Sequence, residues 1–281
     1  MPPFDLRTES YGSLNTQDGD LYLPPGSNLP VVCFLHGGFW RMPYGRDQMT
    51  NIAQDLALQG FAAWNFEYRR LGSSTCGWPD TFNDVMMGIE HLADMAANGV
   101  NLDLTRVVVV GHSAGGQLAL WAAARQLTGW PNHTEYRVRI AAVVAQAAVA
   151  DLVRAYDLGV GGSAIAELMG GAPADQPARY KFASPRALLP LGIPQLVIHG
   201  TADDVVPIEI ARAYAQAALD AGDKVEFLEL AGAGHMDYLD PSSKAHAALC
   251  SWLVRLQSSG DGNSSPAGCV KPSLRNTSRS L

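Results

Sequence analysis

The sequence predicts an α/β protein with a mostly parallel, doubly wound sheet and helices on both faces. Two observations carry this. Short apolar runs alternate with helical patterns from residue 30 to about 256, the rhythm of repeated βαβ units. Several runs are apolar at consecutive positions, as expected of strands covered on both sides.

The predicted strands are 30–35 (PVVCFL), 61–68 (FAAWNFEY), 106–110 (RVVVV), 140–145 (IAAVVA), 195–199 (QLVIH) and 225–230 (VEFLEL). Helices are expected at 46–59, 79–97, 114–127, 207–221 and 243–256, and antiparallel edge strands within 11–29. Residues 1–257 read as one domain. The stretch 151–191 is too long for a simple connection and contains GVGG and GGAP, so it reads as a cap or lid inserted above the strands' carboxyl ends. Residues 258–281, rich in Ser, Gly and Asn, read as a disordered tail.

At 281 residues, 47% apolar and 17% charged, the chain can bury a large core. A formal net charge of −7 argues against a general nucleic-acid partner. No secretory signal or membrane-length apolar run is visible, so a cytoplasmic setting without membrane attachment is expected. Cys33, Cys76, Cys250 and Cys269 are scattered without metal-site spacing. No metal or cofactor is expected, Cys33 and Cys250 reading as small buried hydrophobes. The sequons at Asn132, Asn263 and Asn276 read as chance. A homodimer through an edge strand or the insertion is left open.

The chemistry concentrates around Gly111-His112-Ser113-Ala114-Gly115, between an apolar strand and a helix. Gly-x-Ser-x-Gly there puts the serine on a sharp turn with its hydroxyl above the sheet. Ser113 is the candidate nucleophile, and a serine hydroxyl needs a base held by a third group. His199-Gly-Thr-Ala-Asp-Asp follows a strand and offers Asp203, with Asp204 as competitor and a solvated loop or cap residue by the alternative reading. Asp151 is a further acid, better read as a helix N-cap. Ala231-Gly-Ala-Gly-His235 follows the last strand and supplies the candidate base His235. His112 is expected to point away from the serine, and His199, His91, His246 and His133 are weaker candidates.

HGGFW at 36–40 follows the first of these strands, where donors for a developing oxyanion belong. The N–H groups of Gly38, Phe39 and Ala114 are the candidate donors. Trp40, Trp78 and Met236 are candidate pocket residues, although core cover explains the two tryptophans equally well. Arg69 and Arg70 could meet a substrate carboxylate or pair with a nearby acid.

Together HGGFW, GHSAGG, HGTADDVVP and GAGH resemble the α/β-hydrolase superfamily, within it the esterase/lipase branch, over residues 30–256. HGGxW also resembles arylformamidases, which release formate from N-formylkynurenine. The chain departs from hormone-sensitive-lipase-type esterases, having Phe39 for a third glycine and His112 for an aspartate. The resemblance implies a Ser113–Asp203–His235 triad acting through an acyl-enzyme on a small ester or amide. A carboxylesterase is the leading reading and an arylformamidase the alternative.

Overall fold

In the computed structural model, the structure describes residues 3–72, 77–128 and 136–260. Cys76, Cys269, His133, the three sequons and 261–281 of the expected tail lie outside them.

Eight strands form one sheet: β1 (Asp5–Ser10), β2 (Asp18–Leu23), β3 (Leu29–Leu35), β4 (Ala62–Phe66), β5 (Leu102–His112), β6 (Ile140–Gln146), β7 (Gln195–Gly200) and β8 (Val225–Leu230). Their order is β1-β2-β4-β3-β5-β6-β7-β8. Strands β3 to β8 run parallel, while β1 and β2 join antiparallel at one edge. The first edge strand, β1, lies before the stretch that the sequence marks for it. Its residues are mostly exposed and carry no buried alternation to reveal it.

The helices are α1 (Thr50–Leu58), α2 (Asp80–Ala97), α3 (Ala114–Thr128), α4 (Leu152–Asp157), α5 (Ala164–Met169), α6 (Pro177–Ala183), α7 (Ile208–Asp220) and α8 (Lys244–Gly260). Residues 258–260, expected in the tail, thus finish α8.

Period-2 alternation assigns the apolar residues of the central strands to one of two cores. Val31, Cys33, Leu35, Val107 and Val109 face the core under α2, α3 and α7. Val32, Phe34, Val108 and Val110 face the other, where α1 contributes Ile52 and Leu56 and α8 Leu249, Trp252 and Leu253. Because both faces are covered, the central strands read as continuous apolar runs. The insertion holds α4 to α6, and Asp151 caps α4 by accepting from the Arg154 N–H (3.1 Å).

This topology fixes where chemistry can occur. Ser113 follows β5, Asp203 follows β7 and His235 follows β8. All three loops leave the same edge of the sheet, the carboxyl ends of parallel strands.

Candidate active site

Ser113 has φ +56°, a left-handed backbone that a non-glycine residue adopts at a cost of about 1–2 kcal/mol. The turn is held because Ser113 donates its N–H to Gln146 O (2.8 Å) and accepts from the Gln117 N–H (3.2 Å). Its glycines are needed for close approach. A Cβ on Gly111 would lie 2.1 Å from Gly115 O, and one on Gly115 2.0 Å from Leu35 O. The strand and helix therefore pack backbone to backbone around the serine.

The structure brings Ser113, His235 and Asp203 into one hydrogen-bonded line. Ser113 Oγ and His235 Nε2 are 3.0 Å apart, and His235 Nδ1 is 2.8 Å from Asp203 Oδ2. Asp203 Oδ1 accepts from the N–H groups of Val205 and Val206, both at 2.9 Å. Asp204 is exposed on the same loop, as the alternative reading expects of it. Burial alone would raise the Asp203 pKa, but hydrogen bonds from His199 and His235 outweigh it and hold the carboxyl well below the usual range.

Two residues that the sequence left aside support this line. His199 Nε2 sits 3.1 Å from Asp203 Oδ2 and 2.8 Å from Val206 O, so one N–H serves the carboxylate and the turn that carries it. His112 does not simply point away. Its Nε2 donates to His235 O (2.8 Å), with ring centroids 4.8 Å apart. Burial, together with repulsion from His235, pushes its pKa down to about 3, so it remains a neutral donor to the His235 backbone. Both histidines sit at strand ends, and no spacing rule marks a partner brought together only by the sheet.

The loop after β3 turns through Gly38 (φ +97°), Phe39 (φ +52°) and Trp40 (φ +55°), closed by the Arg41 N–H donating to Gly38 O (3.0 Å). Among the described residues, the N–H groups of Gly38 and Phe39 make no hydrogen bond. The N–H of Ala114 lies in the first turn of α3, where no intrahelical acceptor exists. Gly37 lies against Ser113, since a Cβ there would be 3.2 Å from Ser113 Cβ.

Trp40 is a correction to the pocket expectation. It is completely buried in the core and donates its indole N–H to Gln117 Oε1 (3.1 Å). Gln117 in turn donates to Ala183 O (2.9 Å), so Trp40 anchors the strained loop to α3 and the insertion. His36 is a second anchor, buried 2.6 Å from Glu67 and stacked on Tyr68 at 4.3 Å.

Phe39 is half-buried beneath the insertion, where a Cβ on Gly161 would meet its ring at 2.5 Å. Arg41 ties the same loop to α5, reaching Glu167 (2.7 Å) and Ser163 Oγ (2.8 Å). Trp78 is half-buried edge-on to Phe82 and Phe182, and donates its N–H to Leu168 O (2.7 Å). Met236 is exposed beside His235. Arg69 pairs with Asp84 and Asp80, and Arg70 with Glu67, which places both in structural ion pairs.

The sheet order and the serine elbow define an α/β-hydrolase fold. The chain belongs to the BD-FAE family, whose model matches residues 19–217. It is 29% identical to the esterase LipQ of Mycobacterium tuberculosis over 223 residues, covering 76% of this chain and 51% of that protein. It is 26% identical to a probable isoprenylcysteine alpha-carbonyl methylesterase of Oryza sativa, over 83% of this chain and 58% of that one. The chain thus spans little more than half the length of these relatives. Among solved structures, an inhibited esterase B from Lactobacillus rhamnosis superposes with a TM-score of 0.79 at 20% identity, over 92% of this chain and 89% of that one. A truncated carbohydrate esterase from gut microbiota gives 0.77 at 20% identity, over 92% and 98%.

Proposed function

We propose that this chain is a serine carboxylic ester hydrolase acting through an acyl-enzyme on small-molecule esters. The observation that carries this reading is the line Ser113 Oγ–His235 Nε2–Asp203 Oδ2, with contacts of 3.0 and 2.8 Å, beside a loop whose Gly38 and Phe39 N–H groups make no hydrogen bond among the described residues. The names of the relatives, esterase and methylesterase, support the same class.

In the first half-reaction His235 Nε2 takes the Ser113 proton as Oγ attacks the ester carbonyl. Charge builds on the carbonyl oxygen, where the N–H groups of Gly38, Phe39 and Ala114 receive it. One such donor is worth about 2.7–4 kcal/mol of transition-state stabilisation. His235, held in its tautomer by Asp203, then protonates the leaving alkoxide as the C–O bond breaks. In the second half-reaction His235 takes a proton from water, which attacks the acyl carbonyl, and returns it to Ser113 Oγ as acid is released.

The arylformamidase alternative gains nothing from the tryptophan of HGGFW, because Trp40 is a core anchor out of a substrate's reach. The test is kcat/KM for p-nitrophenyl acetate and butyrate beside N-formylkynurenine, with Ser113→Ala as blank. The proposal expects ester values of about 10⁴ M⁻¹s⁻¹ or more, and a loss on the order of 10⁶ in kcat for the variant. Full turnover by Ser113→Ala would sink the reading. Brisk formamide cleavage with slow ester cleavage would replace it with the alternative.

A further inference from the structure

Away from this chemistry, α1 and α8 meet on the second face of the sheet. Two pairs of polar side chains four residues apart meet there, a spacing that puts both members of a helical pair on one face: Asp55 of α1 with Gln59, the residue that caps its C-terminal end, and His246 with Cys250 of α8. His246 Nε2 lies 2.6 Å from Asp55 Oδ2 and 3.3 Å from Cys250 Sγ. Gln59 Nε2 lies 2.6 Å from the same carboxylate oxygen and 3.3 Å from the same sulfur. One ligand atom each from Asp55, His246 and Cys250 lies within 4.8 Å of the others.

His246 Nε2 faces a carboxylate oxygen and a sulfur together, an oxygen, nitrogen and sulfur donor set gathered at one point. None of the four side chains takes part in the proposed hydrolysis. His246 is buried, whereas Asp55 and Cys250 are only partly covered and Gln59 is exposed, which leaves an entry from solvent.

We propose that Asp55, His246 and Cys250 bind a divalent transition-metal ion of the zinc type, joining α1 to α8. A carboxylate oxygen, an imidazole nitrogen and a thiolate are the donors zinc takes, whereas calcium and magnesium take sets of oxygens. With metal–ligand bonds of about 2.0–2.3 Å in a tetrahedron, the N···O separation becomes roughly 3.3 Å and the S···N separation roughly 3.6 Å. The N···O edge therefore opens by about 0.7 Å and the S···N edge by about 0.3 Å, while the O···S edge, within 4.8 Å here, settles near roughly 3.6 Å, adjustments made by side-chain rotation at partly exposed Asp55 and Cys250. The thiol proton leaves to solvent as the metal–sulfur bond forms. Water, or Gln59 Oε1 once the amide has rotated, completes the fourth position. The sequence hid this site because its carboxylate lies 191 residues from its histidine.

The test uses the full chain stripped of metal, titrated with Zn²⁺ alone and separately with Co²⁺. One equivalent should bind, and Co²⁺ should give a thiolate charge-transfer band in the near ultraviolet. Cys250→Ser should abolish the band and weaken Zn²⁺ binding at least about tenfold, with turnover of p-nitrophenyl acetate unchanged. Zn²⁺ should raise the Tm of the wild type and not of the variant. Should Cys250→Ser fail to fold, Asp55→Asn carries the same affinity test at the exposed edge. A Co²⁺ spectrum without the band, a band that survives Cys250→Ser, or equal Zn²⁺ affinity in wild type and variant would overturn the proposal. Each leaves a hydrogen-bonded contact between helices only.

Discussion

Replacing Asp203 by Asn tests the site through a proton count. Asp203 receives four donors: Val205 and Val206 N–H on Oδ1, His235 and His199 ring N–H on Oδ2. Two backbone donors at 2.9 Å fix which end of an asparagine amide can occupy the Oδ1 position, and only its oxygen can accept there. The NH₂ group must then take the Oδ2 position, facing His235 Nδ1. To meet a donor, His235 has to present Nδ1 as acceptor and keep its proton on Nε2. That proton points at Ser113 Oγ, so the base can no longer take the serine's proton. The wrong tautomer costs about 10⁴ in kcat where such a triad operates, or about 5 kcal/mol of transition-state stabilisation. The assay is kcat for p-nitrophenyl acetate, with a thermal melt to show that the variant folds and Asp204→Asn as the exposed control. A folded Asp203→Asn enzyme within about tenfold of wild type would refute the reasoning, as would an equal loss in Asp204→Asn.

Three further outcomes follow from the same geometry. Gly115→Ala would press a Cβ to 2.0 Å from Leu35 O and 2.4 Å from His36 O, and neither backbone atom can swing away. A loss of at least about 3 kcal/mol, or roughly 6 °C or more in Tm, is expected, and a melt within about 2 °C of wild type would show that the elbow relaxes. His112 has a folded pKa of about 3 against an ordinary 6.5, so the unfolded chain binds more protons between those values. Its contribution to stability is complete above pH 6.5 and is lost as pH falls toward 3; His112→Gln should therefore flatten the stability curve from pH about 6.5 to 4, and an unchanged slope would count against a neutral buried imidazole. Arg41→Ala removes a partly exposed tie between the Phe39 loop and α5. Its stability cost should stay below about 1 kcal/mol, while kcat for p-nitrophenyl butyrate falls a few-fold through looser placement of Phe39; unchanged kinetics would show that the tie does not position the loop.

What the sequence could and could not announce follows from the range of each interaction. Ser113 was legible because its turn needs Gly111 and Gly115 within two residues, so the requirement is written locally. Asp203 and His235 were legible because each sits just past a strand whose apolar pattern is itself plain. Trp40 was ambiguous: a tryptophan beside an oxyanion loop has the same local sequence whether it lines a cavity or locks the loop from below. Only the contact with Gln117, 77 residues away, separates the two. The same limit covers the supporting histidines. His112 reaches the backbone of His235 across 123 residues, and its partner is chosen by strand order, which no short motif encodes. His199 is only four residues from Asp203, yet its role depends on a turn that folds the carboxylate back over the end of β7. Residues that create a backbone shape are thus readable from their neighbours. Residues that hold a catalytic side chain in place become readable only once the sheet has brought distant strand ends together.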